Sequence, residues 1–438
     1  MSAGARLVAL AGRLEELPGL LGIAKLANVG LSMAWGFVVT FVFVRLLPLE
    51  EFRSFVLLAA LGNFTVSAEL GLSAIAYSRL RRDSVAGEGR FKPEEVVALV
   101  WLMLGLSVAG ALLVAMAIGA GLIPTRHPVL FVTFYGVSAL NLLALLAKRV
   151  LAARDHNLWW ESLDCLRRII NIALLIAALL GMPIFDSVLL QFVVSLALIC
   201  IGLATVHASL AMRLRQWLSA RQGAAQLRAH YLRDFGRTGA LTLFDVAAYN
   251  APYFTLTIAT HDPRPLLLFD FLFKISRALS SVIRALVETM LPRLTRLWFE
   301  GSAEAFRGGL RRCLGLAMGL ALLAAIALAL LGKTVAHIVF DGNLDLHYVE
   351  IAMIDLLLLG LVMMCVSVYL QTGLGRFGAL VAPSFVFLMG SVASVPLALA
   401  VGGPFSICFA IFFALVHVGM GLFHTRMLAR LGHQVPQP

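Results

Sequence analysis

The stretch 265-PLLLFDFLFKISRALSSVIRALVETMLP-292 combines the apolarity of a membrane-spanning helix with an unusual number of charges. At about 1.5 Å per residue it is long enough to cross a bilayer with some tilt. At about 100° per residue its charged residues fall within an arc of roughly 80°, and the other faces are apolar. These residues are Asp270, Lys274, Arg277, Arg284 and Glu288, and Ser281 lies on the same arc.

Two interpretations of this polar stripe are open. A charge exposed to lipid near the bilayer centre costs about 2.5 kcal/mol or more, so the stripe must face protein or water. One interpretation is a buried packing seam, with Asp270–Lys274 and Arg284–Glu288 as ion pairs one turn apart. The other is a water-filled path that accepts an anion. We favour the second, because the stripe has a net positive charge and no carboxylate stands four residues from Arg277.

Composition excludes a soluble protein. The 438 residues are 61% hydrophobic and only 13% charged, and the mean hydropathy is +0.92, which is typical of a polytopic membrane protein. The net charge of +11 lies mainly in alternate short loops, where it indicates topology rather than nucleic-acid binding.

Hydropathy predicts an all-α integral membrane protein with twelve spans in two sets of six. The first six are 25–46, 55–78, 96–123, 129–151, 158–181 and 186–211. The second six are 238–260, 265–292, 311–331, 348–371, 377–401 and 404–428. We therefore expect an N-terminal lobe at 1–211 that begins with an amphipathic segment, a basic interfacial linker at 212–237, and a C-terminal lobe at 238–438.

The distribution of lysine and arginine predicts the orientation. Loops predicted on one side carry about five times as many basic residues as those on the other, which places both termini in the cytoplasm. Apart from basic residues at the span ends, which are counted with the loops, five basic residues remain inside the predicted spans, where each opposes insertion. They are Arg167, Arg168, Lys274, Arg277 and Arg284.

Other predicted spans also carry polar residues. In the fifth, Arg168 shares a face with Glu161, Asp164, Arg167 and Asn171, and either an ion-pair lattice or a binding role fits. In the second, Glu69 lies about halfway along, where it can pair with an arginine of another helix or exchange a proton or cation. Asn63 lies in the same span. Weaker candidates are Asn28 in the first span, Asp245 and Asn250 in the seventh, and Asp355 in the tenth.

Motifs for chemistry are missing from the sequence. It has no HExxH pattern, no GxxxxGK[ST] loop and no legible Ser/His/Asp set. We therefore expect no metal, no cofactor and no enzymatic activity.

Four short segments resemble the multidrug/oligosaccharidyl-lipid/polysaccharide (MOP) exporter superfamily, and within it the polysaccharide transporter or Wzx-type O-antigen flippase branch. They are RLLPLEEFRSF (45–55), ELGLSAIAYSRL (69–80), LPRLTRL (291–297) and QTGLGRFGAL (371–380). The chain departs from the family pattern at Arg53, where glycine is usual, and at Glu69, where aspartate is usual.

The resemblance implies a V of two six-helix lobes, with spans 1, 2, 7 and 8 around a cavity that opens alternately to each side. It implies a monomeric flippase of the bacterial cytoplasmic membrane, with an undecaprenyl-pyrophosphate-linked oligosaccharide as cargo and membrane lipids, a polysaccharide polymerase or glycosyltransferases as partners. The alternatives are a cation-coupled drug antiporter of the same superfamily and a membrane component of a polysaccharide synthesis complex.

On that resemblance the candidate residues take separate roles. Arg277 and Arg284 would bind the diphosphate in a bidentate manner, with Lys274 as a point charge and Arg168 as a lesser candidate. Glu69, Asp270 and Glu288 would be coupling or cavity carboxylates. Asn28, Asn63 and Asn250 would be polar residues of the cavity.

Overall fold

The computed structural model describes residues 20–86, 91–374 and 376–434. These residues form fourteen α-helices and one short 3₁₀-helix, with no β-strand among them. The first nine α-helices are α1 Leu20–Leu46, α2 Leu49–Ser67, α3 Leu72–Ala86, α4 Pro93–Gly119, α5 Pro128–Ala139, α6 Asn141–Ala153, α7 Asn157–Leu179, α8 Ile184–Ser209 and α9 Ala220–Ala259. The other five are α10 Arg264–Phe299, α11 Ala303–Val339, α12 Tyr348–Gly373, α13 Gly378–Ala400 and α14 Phe405–His433.

The prediction of an all-helical chain is confirmed. Each of the twelve predicted spans coincides with a helix or with a broken pair of helices. Within the described ranges, eight spans are long and apolar enough to cross a membrane by length and composition. The second, fifth, seventh and eighth predicted spans are not among them, and these four contain most of the candidate polar residues. The charged residues of these four helices lower their mean hydropathy.

The second predicted span is broken into α2 and α3. Leu70 has φ 50° and Gly71 has φ 82°, so the backbone turns through the left-handed region at this point. The Glu69 carboxylate accepts hydrogen bonds from the backbone N–H of Ser73 at 2.8 Å and from its hydroxyl at 3.0 Å. A carboxylate at a helix N-terminus satisfies orphan donors and is stabilised by the helix dipole. Glu69 thereby fixes the start of α3.

Contacts divide the chain into two compact units, Met1–Leu243 and Phe244–Pro438, so that the boundary falls inside α9. In the first unit α1 packs along α7, α3 along α6, and α5 along α8. Its aromatic core includes Phe43 and Phe55, whose ring centroids are 4.4 Å apart, and Phe134, which is tilted against both. These contacts bury the apolar faces of helices whose other faces are exposed.

The second unit is built around the contact between α12 and α14. At their crossing, a Cβ added to Gly360 would lie 2.4 Å from the carbonyl oxygen of His417. Gly421 faces Gly360 across the same crossing, with the ideal Cβ 2.8 Å from its Cα atom. Small residues let helix backbones approach this closely, and in a membrane such packing replaces the hydrophobic effect as the source of stability.

The predicted linker 212–237 forms the 3₁₀-helix Leu214–Leu218 and the beginning of α9. The indole N–H of Trp217 donates to His207 Nδ1 at 3.1 Å. Tyr231 is buried and its hydroxyl donates to Glu95 Oε2 at 3.0 Å. Burial and the neighbouring Glu95 carboxylate raise the pKa of Tyr231, so the hydroxyl stays protonated. These hydrogen bonds connect the linker to α8 and α4 within the first unit.

Candidate substrate-binding residues

The polar stripe of α10 begins as a buried ion pair. Lys274 Nζ contacts Asp270 Oδ2 one turn away, and the two side chains are 12% and 6% exposed. The hydroxyl of Tyr253, on α9, donates to the other oxygen of Asp270 at 2.9 Å. This end of the stripe therefore matches the packing-seam interpretation for Asp270 and Lys274, because aromatic side chains of α9 and α10 cover it.

Further along the same face the stripe becomes exposed. Arg277 and Arg284 are both exposed, and they lie two turns apart, about 10 Å along the helix axis. The Arg284 guanidinium carbon lies 5.8 Å from the ring centroid of Tyr369 on α12, within cation–π range. Glu288 is on α10, but its side chain lies outside the described residues. The sequence predicted one uniform stripe, whereas packing divides it into a covered half and an accessible half.

A second group of charges lies on α7 and is largely buried. Arg167 donates to Asp164 Oδ1 from Nε at 3.0 Å and from Nη2 at 2.7 Å. Arg168 Nε donates to Asp164 Oδ2 at 3.1 Å and its side chain is 24% exposed. The remaining Nη1 of Arg167 donates to Asn141 Oδ1 on α6 at 2.9 Å. Asp164 therefore holds both arginines of this span.

Asn28 joins this group to α1. Its Nδ2 donates to Asp164 Oδ2 at 2.9 Å and to Glu161 Oε2 at 2.6 Å. Glu161 also forms an ion pair with Lys148 Nζ at 2.8 Å. The side chains of α1, α6 and α7 thus form one network. Its two carboxylates and three basic groups sum to a formal charge of +1. The hydrogen bonds and ion pairs of the network connect the three helices.

Sequence reasoning missed the α6 members of this network. Lys148 belongs with the cytoplasmic basic residues at the end of the fourth predicted span, and Asn141 is not singled out by the sequence. The two are seven residues apart, which is two helical turns, so they share a face of α6. That spacing was the available signal, but only the packing of α6 against α7 shows which carboxylates they meet.

The other candidates have local roles in the structure. Glu69 caps α3, and Arg149 on α6 lies near enough to attract its charge. Asn250 is buried and donates to the carbonyl of Val246 in its own helix at 2.8 Å. Asn63 is half-buried on α2.

Comparison with known proteins identifies the fold. No protein-family model matches the sequence, and no curated protein is similar to it. Solved structures do match over nearly the whole chain. An outward-facing multidrug resistance MATE family transporter of the MOP superfamily has a TM-score of 0.66 and 13% identity, over 99% of this chain and all of that one. The chain has the fold of MOP-superfamily transporters.

Two further structures extend this likeness. An inward-facing multidrug resistance MATE family transporter of the same superfamily has a TM-score of 0.62 and 14% identity, over 94% of this chain and 99% of that one. A MOP superfamily transporter from Pyrococcus furiosus has a TM-score of 0.60 and 14% identity, over 98% of this chain and 99% of that one. The latter is described by a reversed polarity of its binding pocket that suggests a different function. At these identities the likeness establishes the fold, which is that of a multi-pass membrane protein.

Proposed function

We propose that this protein is a transporter that moves an anionic, diphosphate-bearing substrate, an undecaprenyl-pyrophosphate-linked oligosaccharide, from the inner to the outer leaflet of the bacterial cytoplasmic membrane. The observation that supports this most strongly is the exposure of Arg277 and Arg284 on one face of α10, the helix of the eighth predicted span. Exposed guanidinium groups within a predicted span oppose insertion, so a functional role is the default hypothesis.

Guanidinium chemistry suits this substrate. Arginine remains charged at all physiological pH values and donates two parallel hydrogen bonds to phosphate oxygens. Arg277 and Arg284 lie about 10 Å apart along α10, close enough for both flexible side chains to reach one diphosphate. Lys274 is already bound to Asp270, so its contribution is to the local field rather than to a direct contact.

A cation-coupled drug antiporter is the second candidate function, because two of the matching structures are multidrug transporters. A cationic cargo needs carboxylates that are free to bind it. Here Asp164, Glu161 and Asp270 each form an ion pair with a basic side chain of the same unit. That pairing favours an anionic cargo.

The test replaces Arg277 and Arg284 with alanine, singly and together, and uses Arg293→Ala as the control. Arg293 is an exposed arginine on the same helix, beyond the predicted span. Transport of a fluorescent lipid-linked oligosaccharide in proteoliposomes should fall at least tenfold in the double variant and stay unchanged in the control. Arg284→Lys should also lose activity, since lysine keeps the charge but not the bidentate geometry.

Two results would contradict the proposal. If the double variant flips the substrate at the rate of the unmodified protein, the arginines do not bind it. If cells carrying the double variant still export polymer and accumulate no lipid-linked sugar in the inner leaflet, the protein acts as a scaffold of a synthesis complex. Uptake of a cationic dye that is unaffected by the lipid-linked sugar would instead support the antiporter.

A further inference from the structure

The first unit contains a cavity of about 480 Å³ whose lining includes none of the residues proposed to bind the substrate. Its wall on α2 and just beyond runs from Leu61 to Ala68, and its wall on α4 runs from Gly110 to Ala117. Tyr135 of α5 and Leu243 of α9 complete the lining. Helices α4 and α5 belong to segments long and apolar enough to cross a membrane. The cavity is therefore bordered by two helices that are predicted to lie in the membrane.

The lining is apolar except for one pair of hydroxyls. Thr65 Oγ1 lies 2.5 Å from Tyr135 Oη and also donates to the carbonyl of Leu61 at 2.9 Å. Because Thr65 uses its proton on that carbonyl, the Tyr135 hydroxyl is the donor of the pair. Each hydroxyl proton of the lining is thus committed inside the protein, and a polar headgroup would find no hydroxyl donor here.

Gly110 explains how the tyrosine ring closes one end of the cavity. A Cβ at this position would lie 2.0 Å from Tyr135 Oη, so only glycine lets the ring lie against α4. Leu113, on the cavity side, is 62% exposed, whereas Val114 beside it is 4% exposed. The cavity is consequently open past Leu113 and closed behind Val114.

Water is a poor occupant for this space. A space of about 480 Å³ has room for many water molecules, and each ordered water needs two to four polar partners. An apolar lining does not supply them, and genuinely apolar cavities stay dry. An empty void is also unfavourable, because the lining atoms forfeit their van der Waals contacts. By its length and hydropathy α4 is predicted to cross the membrane, where its exposed face would border hydrocarbon, so a hydrocarbon chain is the occupant that satisfies these constraints.

We infer that this cavity is a binding site for one acyl chain of a bilayer phospholipid, held by van der Waals packing between α2, α4 and α5. The inference is independent of the proposed substrate. Lipid tails are as apolar as leucine, so selectivity here comes from the fit of a chain to a preformed groove rather than from burial. A phospholipid in this groove would fill the space between α2 and α4 as a structural part of the unit.

The site can be tested with the full-length protein in vesicles that contain a phospholipid with a diazirine in the middle of one acyl chain. After photolysis, mass spectrometry of peptides locates the label. We expect labelling at Val114 and Phe64, which line the cavity, to equal or exceed labelling at Leu112, which is 60% exposed on the same helix but outside the lining. Labelling confined to Leu112 and similar exposed residues would show ordinary surrounding lipid only and would overturn the inference.

Two variants and one further measurement make the test independent of folding. Ala117→Phe places a ring in the cavity and should lower labelling of Phe64 at least fivefold, whereas Ala109→Phe, on an exposed position of α4, should leave it unchanged. If Ala117→Phe folds but labels like the unmodified protein, the chain lies elsewhere. If a charged, membrane-impermeant thiol reagent modifies Val114→Cys, above the background of the native cysteines, the cavity is aqueous and the inference fails.

Discussion

Replacing Asp164 with asparagine should destabilise the first unit strongly, because it removes the carboxylate that neutralises two arginines. Asp164 is 7% exposed and receives hydrogen bonds at 2.7 and 3.0 Å from Arg167, whose side chain is 8% exposed. Removing one partner of a buried pair leaves an uncompensated charge and typically costs about 3–5 kcal/mol. For a unit of this size, at roughly 2–4 °C per kcal/mol, the melting temperature should fall on the order of 10 °C.

The double variant separates the ion pair from other effects of the substitution. The single variant loses stability mainly because the buried Arg167 charge is left without its partner, and Arg167→Met removes that charge. Asp164→Asn combined with Arg167→Met should therefore recover most of the loss. Asp155→Asn is the matched control, because it removes the same charge from the exposed Arg81–Asp155 pair and should produce no resolvable change.

Intrinsic tryptophan fluorescence during heating in detergent measures these differences, and unfolding in lipid nanodiscs repeats them at native packing. Two outcomes would refute the reasoning. Asp164→Asn that melts within a degree or two of the unmodified protein would show that Arg167 is solvated or neutralised in another way. A double variant as unstable as the single one would show that the loss arises elsewhere, for example from the Asn28 contacts to α1.

Three other predictions follow from the fold and the proposed transport. Gly360→Val should push α12 away from α14, because the added Cβ would meet the carbonyl of His417. Its melting temperature should fall far more than that of the control Gly319→Val, whose Cβ meets nothing within 4 Å. Equal shifts in melting temperature would contradict the close crossing of the two helices. Tyr231→Phe should weaken the protein by about 1 kcal/mol at neutral pH. Above the ordinary tyrosine pKa near 10, the raised pKa of Tyr231 keeps its hydroxyl protonated in the folded state but not in the unfolded state. The unmodified protein should therefore lose more stability than the variant as the pH rises above about 10. Parallel curves of stability against pH would refute this prediction. A cargo with about two negative charges gains about 2.3 kcal/mol per charge per 100 mV when it is exported down an inside-negative potential. Collapsing the potential in proteoliposomes should therefore slow net flipping. An unchanged flipping rate would exclude the potential as the driving force.

Several features of this protein were determined by the sequence alone, because they depend on local composition and period. Hydropathy located eight of the predicted spans, since about twenty apolar residues in a row have few alternatives to a membrane helix. The 3.6-residue period identified Asp270, Lys274, Arg277 and Arg284 as one face of α10. The i,i+4 spacing also named the Asp270–Lys274 pair, which is present.

The environment of each charge was decided only by tertiary structure. The sequence cannot show that Tyr253 covers Asp270 while Arg277 remains exposed on the same face, because the covering residues come from another helix. Nor does it show that Asn28, Lys148 and Asp164 meet, since they lie on three helices far apart in the chain. A helical period fixes which residues share a face, but whether that face is buried or exposed depends on long-range packing.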